Sequence, residues 1–399
     1  MKKSKKAMFT VLALSAALTA CGGGGGGGAN PSDSTDSGAK TPVVVAPPSA
    51  GQRQISADCS FTQKIAEPRN DNLRIDRVSW LQSVQLDSSN VESRLAGAKA
   101  VKMRIDVLAE NSPLAPMIRS VKVYNPSTSN CVSIPVSAPS RVPSSRDERD
   151  LATAFTADIP AELVQPGMSV SLWLDDTVGR SISEADATYR VLQPRVAPAV
   201  TETIRIIPIR LLGTTGGVSS TEDIASLIER MYPVSKVNVE YAPVLDVSGL
   251  LSGLLNVVGS LLSGSIGQMQ NLLDTLDDRC AALNGGQSSA RSAPKCIGML
   301  PNNLIFNVAS GGGQVVGLAY VGGTTLLAKS VSTVDNTSVS SPYQTNHWIN
   351  YNAMTLAHEF GHLMDLDHAA CGGATGIDPR LYDDGGLAGG AGYDAVRGA

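Results

Sequence analysis

Three of the four histidines in this chain lie within one eleven-residue segment, at His358, His362 and His368. On an α-helix, residues four apart share a face, so His358 and His362 can present two imidazole nitrogens to one metal ion. Glu359 lies beside the first histidine and can face the same cleft. His368 comes six residues after His362, beyond the point where the helix must turn. This spacing predicts one zinc ion held by three imidazoles.

The predicted ligand set leaves room for chemistry at the metal. Three neutral imidazoles leave Zn²⁺ with an open position for water, whereas structural zinc sites use four protein ligands. Zinc lowers the pKa of such a water to about 7, and Glu359 can take its proton as it attacks a peptide carbonyl. We therefore predict that Glu359 is the catalytic base and that the zinc ligands are His358, His362 and His368. The alternative, a helix whose histidines are solvated or satisfied in a core, is disfavoured by the third histidine at this spacing.

The segment resembles the extended zinc motif HExxHxxGxxH of the metzincin metallopeptidases. It differs at one position, because Asp365 stands where the family has the glycine that lets the chain leave the helix in a left-handed conformation. Aspartate is among the few other residues that adopt this conformation. We therefore predict a left-handed Asp365. The resemblance implies a zinc-dependent endopeptidase.

The residues after the third histidine resemble a narrower group. The runs at 368–373, 376–379 and 392–394 are similar to those of secreted bacterial metzincins that carry an accessory domain ahead of the catalytic one. That subgroup includes the mucin-directed lipoprotein peptidases. The resemblance implies that the substrate is a protein or glycoprotein.

The beginning of the chain has the pattern of a bacterial lipoprotein signal peptide. A lysine-rich start precedes the apolar stretch 7–17, which is too short to span a membrane as a mature helix, and residues 18–21 match a lipobox. We predict a signal peptide over residues 1–21 and a lipidated Cys21; the alternative is an ordinary signal peptide with a coincidental cysteine. Residues 22–51, rich in glycine, proline and serine, predict a flexible linker. The protein would then be anchored by lipid at the bacterial cell envelope, on the periplasmic or outer-membrane face, or be released outside the cell.

Residues 52–198 are predicted to form an all-β sandwich. Short runs of alternating apolar and polar residues, separated by turn residues, are typical of half-buried strands. These runs are 101–107, 120–124 and 170–174. Trp80 and Trp173 are expected in the core of the sandwich. Because no catalytic constellation is found here, this accessory domain is expected to be a spacer, a fold-assisting partner or a substrate-docking module.

Residues 199–399 begin with an α/β pattern. A strand at 204–211, a capped amphipathic helix at 220–231 and a second strand at 236–241 are predicted. The metzincin resemblance implies a mixed sheet packed against a long zinc helix in this part. The expected fold is therefore multidomain, with the β-sandwich followed by an α/β metzincin-like catalytic domain.

The stretch 247–270 contains no charged residue and six leucines. A membrane span is one interpretation. Serine and glycine recur throughout it, however, and a span would separate the opening strands from the zinc helix that should pack on them. We therefore predict one or two apolar helices docked on the catalytic domain.

Two further segments lie before the zinc helix. The run Gly317–Gly323 is placed where an edge strand pairs with an extended substrate in enzymes that the chain resembles; the alternative is an ordinary strand bounded by glycines. His347, the fourth histidine, lies at the entrance to the helix and is interpreted as structural rather than as a ligand.

The cysteines predict two disulfides in an oxidising compartment. Apart from Cys21 the chain has five, which is an odd number. We expect the pairs Cys59–Cys131 within the sandwich and Cys280–Cys296 across a short loop. Cys371 is then left over.

A second departure from the metzincin pattern follows the third histidine. Metzincins have a methionine-containing turn under the metal, and no methionine follows Met364 here. One interpretation is that the catalytic domain is incomplete at its C-terminus and lacks both this turn and a partner for Cys371. The other is a divergent turn that uses Leu381 or Leu387, with Cys371 free.

The charge pattern excludes one class of function and leaves a second open. The formal net charge is −4, with no basic stripe and no phosphate-binding loop, so no nucleic-acid partner is expected. The competing function is a surface lipoprotein that binds glycoprotein or matrix through its sandwich and carries a decayed peptidase domain. The intact Glu359 argues against decay, and the missing methionine turn argues for it.

Overall fold

The computed structural model describes residues 59, 73–91, 93–110, 120–148, 150–173, 189–211, 213–251, 256–258, 261–286, 292–307, 314–334, 349–368 and 393. The predictions for residues 1–51, including the lipidated cysteine, lie outside these ranges. So do His347, Cys371, Leu381 and Leu387.

The first part of the chain forms ten strands. They are β1 Arg74–Leu81, β2 Gln85–Asp87, β3 Arg94–Leu95, β4 Val101–Leu108, β5 Ser120–Asn125, β6 Asn130–Pro135, β7 Phe155–Ile159, β8 Ser169–Trp173, β9 Tyr189–Leu192 and β10 Arg195–Val196. Two antiparallel four-stranded sheets, with the orders β2-β1-β4-β7 and β6-β5-β8-β9, enclose one hydrophobic core. β10 pairs in parallel with β3. The described residues therefore contain the predicted β-sandwich.

The core of the sandwich contains the apolar residues of the alternating pattern and also a buried ion pair. Trp80 is 2 % exposed, as predicted. Arg104 and Asp106 occupy the polar positions of β4 but are also buried, because the Arg104 Nε donates to the Asp106 Oδ1 at 2.8 Å. The structure also contains the disulfide Cys59–Cys131.

The second part of the chain, called here the α/β part, contains eleven strands and four helices within the described residues. The strands are β11 Thr201–Leu211, β12 Thr214–Thr215, β13 Lys236–Tyr241, β14 Leu245–Asp246, β15 Asn256–Val258, β16 Leu261–Ser265, β17 Lys295–Leu300, β18 Leu304–Asn307, β19 Gln314–Val315, β20 Gly317–Ala319 and β21 Thr325–Lys329. The helices are α1 Thr221–Met231, α2 Ser248–Leu251, α3 Ile266–Leu283 and α4 Tyr351–Leu363.

The main sheet of the α/β part is mixed and has seven strands. Its path is β12-β11-β17-β21-β20, and β13 and β14 also pair with β11. The pairs of β11 with β13, β14 and β17 and of β17 with β21 are parallel, whereas β12 and β20 are antiparallel to their neighbours. A smaller sheet has the order β15-β16-β18-β19.

Helices cover both faces of the main sheet. Along β11, Ile204 and Ile206 lie in one core with α1 and α4, whereas Ile207 and Ile209 lie in a second core with α3. This alternation follows from the period of two in a strand whose faces are both buried. The disulfide Cys280–Cys296 joins α3 to β17 in the second core.

The opening elements of the α/β part lie where the sequence predicts them. β11 and β13 cover the predicted strands, and α1 begins after Ser220, whose side chain accepts a hydrogen bond from the Asp223 amide at 3.1 Å. β10 pairs with β3 of the sandwich, whereas the next strand, β11, pairs with β13 and β17 of the α/β part. The predicted boundary at residue 198 falls between them.

The prediction for residues 247–270 was wrong in part. Instead of docked apolar helices, the described residues of this stretch form the four-residue α2, the strands β15 and β16, and only the first turns of α3. Short apolar runs interrupted by glycine cannot be assigned to helix or strand by periodicity alone. None of the helices in the described ranges is long and apolar enough to cross a membrane.

Candidate metal centre

Helix α4 carries three of the four predicted site residues. Its N-cap is Asn350, whose side chain accepts a hydrogen bond from the Asn352 amide at 3.0 Å. One face is apolar and packs in the core with α1 and the main sheet. The residues of this face are Ala353, Leu356, Ala357, Phe360 and Leu363. Because that face is fixed in the core, the orientation of the histidines one turn apart on the same helix is fixed as well.

The chain reverses direction just after α4 and brings the third histidine back. Asp365 has a φ of +69°, which is the left-handed conformation predicted for it. The Leu366 amide donates to the Gly361 carbonyl at 3.1 Å, which closes the helix end in the manner of a C-terminal capping motif. The Gly322 amide, from the loop after β20, donates to the His362 carbonyl at 2.8 Å. The helix end is thus tied to the loop beside it.

The three predicted ligands converge. Their candidate ligating nitrogens lie within 4.8 Å of one another, and this is the one such group of three found among the described residues. The ring centroids of His358 and His362 are 4.9 Å apart, and that of His368 lies 5.4 and 4.8 Å from them. His362 and His368 are 4 % and 6 % exposed, whereas His358 is exposed. Three imidazoles so placed could hold a metal ion.

The hydrogen bond of His362 leaves its second nitrogen available to a metal. Its Nδ1 lies 2.7 Å from the Leu366 carbonyl oxygen. Since a carbonyl can only accept, Nδ1 carries the hydrogen, and the lone pair is on Nε2. Nε2 is buried and has no hydrogen-bond partner among the described residues. A buried acceptor without a partner is costly, and a bound cation would satisfy it, so His362 fits a ligand role.

His358 and His362 are held in the neutral form that binds metals. Although part of the His358 ring is exposed, desolvation by the surrounding protein, followed by the neighbouring His362 and His368, lowers its pKa to about 4. Burial also lowers the pKa of His362, against an opposing effect of its bond to Leu366. Both imidazoles are therefore neutral near pH 7, as metal binding requires.

Glu359 is buried between α4 and the sheet. It is 5 % exposed, its Oε2 has no hydrogen-bond partner in the part of the chain that the structure describes, and burial raises its pKa to about 8. Its side chain lies against β20: a Cβ atom on Gly317 would be 2.6 Å from the Glu359 Cγ and 2.8 Å from its Oε1. Gly317 is therefore the residue that makes room for the carboxyl.

Tyr232, at the end of α1, contacts α4. This contact was not predicted from the sequence. Its hydroxyl donates to the Ala357 carbonyl, and its ring centroid lies 5.3 Å from that of Phe360. A Cβ on Gly361 would be 2.9 Å from the Tyr232 oxygen. Burial, and secondly Glu359, raises the pKa of Tyr232, so the phenol stays a neutral donor. Gly361 was the signal in the sequence, because a glycine within a helix can mark the close approach of another side chain.

Comparison with known proteins adds no assignment. No protein-family model matches the chain, and no curated protein matches it.

Proposed function

We propose that the chain is a zinc-dependent endopeptidase of metzincin type. The observation that carries the proposal is the convergence of the nitrogens of His358, His362 and His368 within 4.8 Å, with the buried Glu359 next to the first of them on α4. The left-handed Asp365 supports it, since the metzincin motif requires that conformation at the same position.

Zinc is the proposed ion because of the donors. Imidazole nitrogens suit zinc, copper, iron and nickel, and among these zinc combines a preference for four ligands with hydrolytic chemistry. Bound to the three histidines, zinc would supply a Lewis acid that polarises a peptide carbonyl and acidifies water. The neutral imidazoles and the bare Nε2 of His362 fit this ion.

Glu359 is the proposed proton carrier. A general base works best when its pKa lies near the operating pH, and burial raises that of Glu359 to about 8. A cation held nearby would lower the pKa of Glu359 instead. Its Oε2, which no described residue engages in a hydrogen bond, can accept a proton from water during attack on the peptide and return it to the leaving amine.

The strand β20 is the proposed substrate-binding edge. It pairs with β21 on one side and ends the path of the main sheet among the described strands. An extended peptide can add to such an edge through main-chain hydrogen bonds. Because Glu359 lies against Gly317 of this strand, a peptide bound there would pass beside the proposed base. This arrangement favours an endopeptidase that acts on protein or glycoprotein chains.

The place of action is proposed from the signal sequence. A lipid on Cys21 would attach the protein to a membrane of the bacterial cell envelope, and the linker 22–51 would let the folded parts reach substrates near that surface.

Cleavage of an unfolded protein tests the function. The zinc-loaded protein should cut a denatured substrate at internal peptide bonds, mapped by mass spectrometry of the new termini. A chelator should stop the reaction and added zinc should restore it. Cleavage that persists in the chelator would contradict the proposal. Zinc binding without any cleavage would favour the decayed, glycoprotein-binding alternative.

Replacing Gly317 with alanine should reduce hydrolysis by about 10–100-fold and leave zinc binding unchanged. The new Cβ would meet the Glu359 side chain at under 3 Å, so the carboxyl must shift, whereas the three histidines are untouched. The measurement is kcat/KM together with zinc content. Gly217→Ala is the matched control, because a Cβ at Gly217 would meet no atom of the described residues within 4 Å. Equal activity in both variants would show that hydrolysis does not depend on the position of the Glu359 side chain against β20.

A further inference from the structure

We infer that the sandwich is part of the catalytic unit, because its Lys99 holds the end of α1 and Tyr232 at that end positions the metal helix α4. Lys99 and Tyr232 are thus positioning residues for the histidines. The consequence for metal binding rests on the proposed function, whereas the connection itself does not.

Lys99 reaches across from the sandwich to the C-terminal end of α1. Its ammonium donates to the Glu229 carbonyl at 2.5 Å and to the Tyr232 carbonyl at 2.7 Å. A third bond goes to the Ser83 hydroxyl, within the sandwich, at 3.0 Å. The last carbonyls of a helix lack partners within the helix, and a cation there is favoured by the helix dipole. Lys99 therefore caps α1 from another part of the protein.

The loop that carries Lys99 is held in a defined shape. The Gln82 side chain donates to the carbonyls of Ala96 and Lys99, at 3.0 and 2.9 Å, and accepts from the Ala96 amide at 2.8 Å. Ala98 has a φ of +51°, a conformation that a non-glycine residue keeps only when its surroundings impose it. Such a loop presents the ammonium in one place rather than in many.

Tyr232 carries the connection from α1 to the metal helix. Its main-chain carbonyl accepts from Lys99, while its hydroxyl donates to the Ala357 carbonyl, one residue before the ligand His358. Its ring packs on Phe360, two residues before the ligand His362. One side chain therefore contacts α4 next to both helical ligands.

Other contacts join the two parts at the same place. The Ser235 hydroxyl, after α1, donates to the Gly97 carbonyl next to the Lys99 loop. The Tyr393 amide donates to the Ser83 carbonyl at 2.9 Å, on the residue whose hydroxyl accepts from Lys99. Of the roles open to the accessory domain, these contacts favour a fold-assisting partner over a spacer or a detachable docking module.

Replacing Lys99 with methionine tests the inference on the purified full chain. The variant keeps the length of the side chain and removes the charge. We expect the zinc affinity, measured by competition with a chelator well below the unfolding temperature, to fall about tenfold. In the metal-free protein, the amides of residues 357–362 should exchange with solvent about tenfold faster. Lys102→Met is the matched control: Lys102 pairs with Asp158 at 2.5 Å inside the sandwich, and both readouts should stay within about twofold of the parent.

Tyr232→Phe gives a second, smaller change that removes only the hydroxyl. It should also lower the zinc affinity and speed the amide exchange of residues 357–362. The double variant should lose about as much zinc affinity as the more damaging single variant, since both residues belong to one chain of contacts. If Lys99→Met does not fold, Lys99→Gln decides the question with the same two readouts, because it removes the charge that caps α1 while keeping a polar side chain.

The two readouts separate this inference from the proposed function. A protein that binds no zinc would end the proposed function, and the exchange measurement on the metal-free chain would still decide whether Lys99 stabilises α4. Exchange in Lys99→Met equal to that in Lys102→Met would overturn the inference. Faster exchange with unchanged zinc affinity would overturn it as well, because Lys99 would then stabilise α4 without positioning its histidines for the metal.

Discussion

Replacing Glu359 with glutamine should leave zinc bound and lower the rate of peptide hydrolysis by at least about 100-fold. Glutamine has nearly the same shape, so the packing against Gly317 is kept. Its amide cannot accept a proton from water, so the proton transfer assigned to Glu359 is lost. The measurement is kcat on an unstructured protein substrate, with zinc content determined on the same sample.

An exposed glutamate provides the control for this variant. Glu222 lies in the first turn of α1, where its side chain bonds to Ser220 and Thr221. Glu222→Gln should keep full activity. If Glu359→Gln retained activity within about threefold of the parent, Glu359 would not be the base, and the proposed mechanism would be wrong.

Replacing His362 with alanine should weaken zinc binding by at least about 100-fold and abolish hydrolysis with it. Loss of a group that merely orients a ligand already costs about 10–100-fold in metal affinity, and His362 is proposed to be a ligand itself. Its buried Nε2 has no hydrogen-bond partner among the described residues, and a bound cation would satisfy it. The affinity is measured by competition with a chromogenic chelator.

The fourth histidine offers a matched control. His347 was interpreted from the sequence as structural, so His347→Ala should bind zinc as the parent does. Zinc retained in His362→Ala would place the metal elsewhere. Zinc lost equally from both variants would show that His347 is needed as well, against its interpretation as structural.

The parts of the site that could be predicted from the sequence are local. The positions of His358 and His362 follow from the helical repeat, and the left-handed Asp365 is what the metzincin resemblance implies at the position of the motif's glycine. The strands at 204–211 and 236–241 and the cap at Ser220 were also local patterns.

The parts that could not be predicted depend on distant residues. Tyr232 and Ala357 are 125 residues apart, and Lys99 and Tyr232 are 133 apart, so no pattern within one segment indicates either bond. The close packing of Glu359 against Gly317 likewise joins residues of two different segments. Strands β15 and β16 were missed because apolar residues separated by glycine suit a strand and a helix about equally until a partner strand such as β18 is known.

Zinc K-edge X-ray absorption spectroscopy of the zinc-loaded protein tests the central claim most directly. The account predicts one zinc per chain, bound by three imidazole nitrogens and one further oxygen donor, which is the open coordination of a catalytic site. A sulfur ligand, or four protein ligands around the metal, would contradict it, because the segment would then form a closed structural site.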